Sequence, residues 1–241
     1  MDNLLGEFMG TLVMIGFGGG VCACNTLNKS KGQGGGWICI TTAWGFAVMF
    51  GVFTATTLGA PQGDLNPSVT FGKMLIGIYT VPQFFATSLA QILGAIVGAA
   101  IVWLAYLPHW AETEDKAAKL GIFCTAPAIR NYPLNFLCEC IATFFLMFVI
   151  WMVFSKQVGV LQPAMGPYIV GLLVWTLGMS FGGPTGYAMN AARDLGPRIA
   201  HAILPIAGKG GSDWSYAWVP VFGPLAGSFV AYVVALALHV F

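Results

Sequence analysis

The sequence predicts an all-α membrane protein: six transmembrane helices plus two re-entrant half-helices, arranged as an inverted three-plus-three repeat. Three observations carry that expectation. The chain is 57% hydrophobic and only 8% charged over 241 residues, whereas soluble domains carry about 25% charge to cover their surface. Apolar runs at 4–26, 36–58, 82–107, 134–154, 164–182 and 216–241 are each long enough for a bilayer core, which takes ~20 residues. Finally, Asn66-Pro67-Ser68 and Asn190-Ala191-Ala192 stand once in each half between these runs, each with a glycine six residues on, Gly72 and Gly196. One channel-like domain, 1–241, is expected, with repeat halves at about 1–107 and 134–241.

The first run is read as a retained helix, because Met1-Asp2-Asn3 supplies no basic flank for a signal peptide. It opens on Gly6-Glu7-Phe8-Met9-Gly10-Thr11. The fourth run opens on Cys138-Glu139-Cys140-Ile141-Ala142-Thr143, with the same pattern of small residue, Glu, two variable positions, small residue and Thr. Each half thus holds a Glu-bearing span, a second span, an Asn-led segment and a third span. Three spans is an odd number, so the second half enters the membrane from the opposite side, which places a site near the midplane.

The Asn-led segments are too short to cross. From Pro67 to about Tyr79, and from Ala191 to about Leu204, a helix at 1.5 Å per residue covers about half the membrane. Asn66 and Asn190 are favoured N-caps, and Pro67 at the first helical position loses no needed N–H. Two half-helices meeting tip to tip make a composite seventh span. Non-helical backbone survives at membrane depth only where protein buries it or water reaches it, so 58–65 and 182–189 are expected to line an aqueous path with their carbonyls. Arg193, three residues after the second Asn, is an ionised group in an apolar context and hence a candidate functional residue.

With these motifs the chain resembles the aquaporins and, within them, the glycerol facilitators. The resemblance spans the whole chain through Leu65-Asn66-Pro67-Ser68-Val69-Thr70, the stretch from Gly183 to Arg198, and Val219-Pro220-Val221-Phe222-Gly223-Pro224-Leu225. It implies a right-handed six-helix pore, assembled as a homotetramer with one conduit per subunit. It also implies that Asn66 and Asn190 present amide donors to a passing oxygen where the two positive half-helix ends converge, repelling cations and protons. Trp44, Gly178, Tyr187 and Arg193 are placed in the family's narrow filter: Gly178 leaves room, the two aromatics cradle the carbon edge of a polyol, and Arg193 binds its hydroxyls. Asp194 marks the glycerol-conducting branch, and pairing with Arg198 at i, i+4 is expected.

The chain departs from the family's Asn-Pro-Ala triplet at Ser68 and at Ala191, which is followed by Ala192. It also has Tyr187 where facilitators usually have Phe, and Asp64 where a His is common, in an approach loop about two residues longer than usual. The implied function is a passive channel for glycerol and other small uncharged solutes, also conducting water. A water-selective pore is the narrower alternative, which Gly178 and Asp194 oppose. An ion-coupled transporter using Glu7 or Glu139 is another; their symmetric placement instead favours acceptance of hydrogen bonds from the half-helix loops. Gly6/Gly10, Gly94/Gly98, Gly178/Gly182 and Gly223/Gly227 are read as close-packing pairs.

No nucleophile, base and orienting group converge, so no enzyme is expected. No metal or cofactor motif and no nucleic-acid partner is expected either; Cys22, Cys24, Cys39, Cys124, Cys138 and Cys140 read as small buried thiols. His201 is placed near an external mouth. Counting Lys and Arg by loop puts the odd-numbered loops in the cytoplasm, whereas the resemblance puts them outside. The whole-chain match is given precedence, with a multi-pass chain in the cell membrane and both termini cytoplasmic.

Overall fold

The computed structural model describes residues 2–162 and 164–241. Among them lie ten helices: α1 (Leu4–Thr26), α2 (Gly36–Thr57), α3 (Pro67–Leu75), α4 (Val81–Ala105), α5 (Leu107–Glu112), α6 (Lys116–Phe123), α7 (Tyr132–Val153), α8 (Met165–Thr185), α9 (Ala191–Ile203) and α10 (Trp218–Ala237). Six of them, α1, α2, α4, α7, α8 and α10, are long and apolar enough to cross a membrane. Their outward faces carry Phe17, Phe50, Leu89, Phe145, Leu172 and Phe229 in the open, the arrangement a lipid solvent requires rather than water.

The packing repeats the duplication. Helix α1 packs on α2 and α4, and α7 packs on α8 and α10 in the same relation. The half-helices cross over: α3 lies against α10, and α9 against α4. Gly72 and Gly196 make those crossings possible. A Cβ on Gly72 would lie 2.8 Å from Ser228 Oγ of α10, and one on Gly196 would lie 2.5 Å from Ala95 Cβ of α4. The long spans close in the same way, with Gly94 and Gly98 against the α1 backbone and Gly223 and Gly227 against α7. Small residues let helices approach where lipid gives no hydrophobic drive for association.

Three boundaries differ from the sequence expectation. Helix α3 stops at Leu75 rather than near Tyr79, because Gly77 takes φ +81° and the N–H of Ile78 turns back to the Lys73 carbonyl at 2.9 Å. Helix α8 runs on through Pro184 to Thr185, and Gly186 at φ +80° caps it by donating to the Gly182 carbonyl. The non-helical stretch expected from 182 therefore begins only at Gly186. Beyond α10, residues 238–241 fold back, with Val240 N–H on the Ala235 carbonyl and the Phe241 ring edge-on to Trp151 at 5.0 Å. The loop between α4 and α7 holds the two short helices α5 and α6, which the apolar periodicity does not announce.

Candidate functional site

The two half-helices point their N-termini at each other. Asn66 Oδ1 accepts from Ser68 N–H at 2.8 Å, and Asn190 Oδ1 accepts from Ala192 and Arg193 N–H at 2.9 and 3.0 Å. Ala191 thus leaves a doubly bonded cap even without the pre-set φ of a proline. The amides then reach across the duplication: Asn66 Nδ2 donates to the Met189 carbonyl and Asn190 Nδ2 to the Leu65 carbonyl, both at 2.8 Å. Each amide has two N–H groups, so one remains for the lumen.

The loops before each Asn are bent alike. Leu65 and Met189, immediately before it, have φ +54° and +46°; Gly63 and Tyr187, three before it, have φ +52° and +41°. Left-handed backbone at a bulky residue costs ~1–3 kcal/mol, and here two acids brace it. Glu7 accepts from the N–H groups of Asp64 and Leu65 at 2.8 Å each, and Glu139 from Ala188 and Met189 at 3.0 and 2.8 Å. Both acids are fully buried.

The first half adds a polar network around Glu7 and Asp64. Gln91 Nε2 donates to Glu7 and to Thr70 Oγ1, Thr70 donates to Asp64, and Lys73 Nζ lies 2.5 Å from Asp64 Oδ1 and 3.2 Å from the Gln62 carbonyl. Asp64, in the position where the family commonly has a His, is therefore neutralised from within the same half-helix. Ser68 is buried; its carbonyl accepts from Ser228 Oγ at 2.8 Å.

Trp44 of the first half comes together with Arg193 of the second, and Tyr187 packs against Gly178. The Arg193 guanidinium sits 4.2 Å over the Trp44 ring, and its Nη1 donates to the Phe123 carbonyl at 3.1 Å. Trp44 is wedged against Gly18 and its indole N–H points to Cys22 Sγ at 3.4 Å. One face of the indole is thus occupied by the guanidinium, and Trp44 also lines the conduit. Tyr187 lies over Gly178 and Gly182 and meets Trp37 edge-on at 5.9 Å, while Trp37 Nε1 donates to the Gly178 carbonyl at 3.1 Å. A cavity of about 910 Å³ runs from these residues past Asn66 and Asn190 to a mouth beside Lys73, Lys156 and Phe241. Trp44, Tyr187 and Arg193 line its other end.

Asp194 is placed behind that cluster, not in it. Its carboxylate receives Arg198 at 2.7 Å and both the N–H and hydroxyl of Thr125 at 2.7 Å; neither charged side chain is exposed. Arg198 spreads its remaining donors over the carbonyls of Thr125, Ser212 and Asp213. The pair ties the loop that carries Phe123 to the half-helix that carries Arg193. His201, expected near an external mouth, is instead fully buried against Phe123 and bonded to Ser212 Oγ at 2.9 Å. The cysteines are free thiols, two of them buried, Cys22 and Cys124; Cys39 is exposed, contrary to expectation. Trp37, Cys22, Gln91 and the Phe123 carbonyl were not legible as site groups, because each acts through a contact far away in sequence.

Fold and site together define a membrane-embedded conduit built from an inverted duplication, with two half-helix ends at its centre and an arginine–aromatic constriction beside them. The chain belongs to the major intrinsic protein family, which matches residues 1–235. It is 50% identical over 225 residues to glycerol uptake facilitator protein 3 of Lactiplantibacillus plantarum, covering 93% of this chain and 92% of that relative. It is 46% identical to the glycerol uptake facilitator protein of Bacillus subtilis, covering 100% of this chain and 87% of that one. Among solved structures it superimposes on the aquaglyceroporin from Plasmodium falciparum with a TM-score of 0.83 at 29% identity, over 97% of this chain and 94% of that one.

Proposed function

We propose that the protein is a passive channel for glycerol and other small uncharged solutes, that it also conducts water, and that it excludes ions and protons. The observation that carries this reading is the convergence of Asn66, Asn190 and two helix N-termini on one lumen. Each helix end is worth about half a positive charge, and the one free N–H of each amide offers a donor to a neutral oxygen while a cation meets only repulsion. The names of the relatives support glycerol as the solute. Arg193 supplies donors for hydroxyls there, and Gly178 makes room for the Tyr187 ring beside it.

Glu7 and Glu139 spend their oxygens on loop N–H groups, which favours a scaffold role over ion coupling. In the cell membrane the protein acts as a homotetramer with both termini cytoplasmic. The loop bias of Lys and Arg opposes this orientation, which rests on the whole-chain likeness to the family. Of the basic groups in the odd-numbered loops, Lys29 pairs with Glu112, Arg130 with Asp213 and Arg198 with Asp194. Lys119, Arg193 and Lys209 bond backbone carbonyls.

Stopped-flow light scattering on proteoliposomes tests the reading. Osmotic shrinkage in an impermeant sugar, followed by re-swelling in glycerol well above empty liposomes and independent of a pH or sodium gradient, is the expected result. Shrinkage without re-swelling would make it a water pore, and gradient-dependent saturating flux a transporter.

A further inference from the structure

Among the described residues that line the conduit, Asp64 is the one acid. Its carboxylate stands close to the tip of the first half-helix. The Thr70 hydroxyl lies 3.0 Å from Asp64 Oδ2 and 3.1 Å from the Asn66 carbonyl, so one side chain separates the charge from the residue that caps the tip. The Asp64 side chain is itself fully covered, and a passing solute does not touch it. Its charge reaches the lumen all the same, because a field is weakened little where protein replaces water.

That charge has the wrong sign for its place. Each half-helix end is worth about half a positive charge. One full negative charge beside the α3 tip would reverse the sign on that side and offset the two tips together, ending the repulsion they offer a cation. The second half holds a comparable acid, Asp194 in the first turn of α9; Arg198 of the same helix lies on its carboxylate, and neither lines the conduit. In the first half the answering cation is Lys73, in the last turn of α3, with Nζ 2.5 Å from Asp64 Oδ1 and 3.2 Å from the Gln62 carbonyl. Lys73 and Asp64 both line the conduit. We propose that Lys73 is a specificity-determining residue for charge: as the counter-ion of Asp64 it keeps the first half of the conduit closed to cations, at a place apart from Arg193 and from both asparagines. This rests on the reading of the chain as an ion-excluding polyol channel.

A lysine that only braced the approach loop would be needed for its hydrogen bonds and not for its charge. Lys73→Gln separates the two, since glutamine keeps donors for the carboxylate or the Gln62 carbonyl and carries no charge. Rubidium-tracer uptake and glycerol re-swelling are measured at about pH 8 in the same proteoliposomes for the wild type, Lys73→Gln, Lys73→Arg and the double variant Asp64→Asn/Lys73→Gln. Rubidium uptake is expected to rise about tenfold or more in Lys73→Gln, a unit charge ~6 Å away at an effective dielectric of ~20 being worth at least that factor. It should return to the wild-type level in the double variant and stay there in Lys73→Arg. Lys73→Met carries the same expectation if the glutamine variant does not fold. Unchanged uptake in a neutral Lys73 variant that still conducts glycerol overturns the proposal and leaves the channel reading standing. A leak that persists in the double variant does the same, since it would come from a deformed pore. Wild-type rubidium uptake above empty liposomes, or wild-type glycerol flux no higher than theirs, overturns both.

Discussion

Arg193 and Trp44 are in direct contact on the wall of the conduit, the guanidinium 4.2 Å from the ring centroid. The positive group is held from behind by the Phe123 carbonyl and from the side by the aromatic face, so its position is set twice over. In the proposed function, a cation fixed in this way is the group that narrows the passage and repels other cations.

Arg193→Ala therefore widens the constriction and removes its charge together. The expected outcome is a channel that still folds and conducts glycerol but discriminates about tenfold less against a four-carbon polyol, given that hydrogen bonds to charged groups are worth ~1.5–3 kcal/mol. Comparing erythritol with glycerol re-swelling in proteoliposomes checks it. Unchanged discrimination would remove Arg193 from the filter.

Asp194 and Arg198 are both fully buried, and breaking such a pair leaves a charge with nothing to oppose it. Asp194→Ala is expected to cost about 3–5 kcal/mol. Thermal unfolding in detergent, followed by size-exclusion profile, reads this as a large drop in midpoint. Adding Arg198→Ala to the same chain should return part of the loss, since the stranded cation is then gone. A double variant worse than the single would mean that the bonds from Arg198 to Ser212 and Asp213 matter more than its charge.

How much of this was legible in the sequence follows from the range of each interaction. Asn66, Pro67 and Gly72 announce a capped half-helix because caps and close-approach glycines act within a turn or two, and the duplicated Glu7 and Glu139 announce their shared role through symmetry. The end of α3 was misplaced because Gly77 competes with an apolar run that continues to Tyr79. Trp37 and Phe123 went unseen as site groups because the residues they hold, Tyr187 and Arg193, lie far along the chain and no local pattern links them. His201, expected near an external mouth from its place on the second half-helix, is covered by Phe123 and Ser212.

Glu139→Gln separates a scaffold acid from a proton relay. The carboxylate accepts two backbone N–H groups, at Ala188 and Met189, whereas an amide has one oxygen and turns its own donors on the second N–H. One stranded buried donor costs about 1–3 kcal/mol. Lower thermal stability is expected, with glycerol flux through the folded fraction still indifferent to a pH gradient. Gradient-driven flux in the wild type that vanishes in this variant would favour the transporter.

At the loop beyond α9, burial raises the Asp213 carboxyl, but hydrogen bonds from Arg130 and Ser215 outweigh it and hold it below the ordinary carboxylate value. A depressed native pKa contributes stability above the unfolded value of about 4 and loses it as pH falls through the lower native value. Asp213→Asn is expected to lower stability by about 0.5–1 kcal/mol at pH 7, because Arg130 is 43% exposed and solvent screens the pair. The gap between wild type and variant should close below pH 3 in the same unfolding assay. A gap of equal size at both pH values would assign the loss to packing.

Gly178 sets the width of the constriction through Tyr187. Its absent side chain is the space the phenol occupies: a Cβ there would lie 2.7 Å from Tyr187 Cζ and 2.9 Å from Cε2 and Oη, well inside contact. The ring cannot retreat, since Gly182 and Trp37 back it on α8 and α2, so it must swing toward Arg193 and Trp44. Gly178→Ala is accordingly expected to reduce glycerol permeability about tenfold or more while water passes within a few-fold of wild type, a misplacement on the order of 1 Å being enough at a site of this tightness. Shrinkage and re-swelling rates on the same proteoliposomes give both numbers. Equal losses of water and glycerol would mean that the methyl group has deformed α8 rather than narrowed the opening beside it, and unchanged glycerol flux would show that the ring has another place to go.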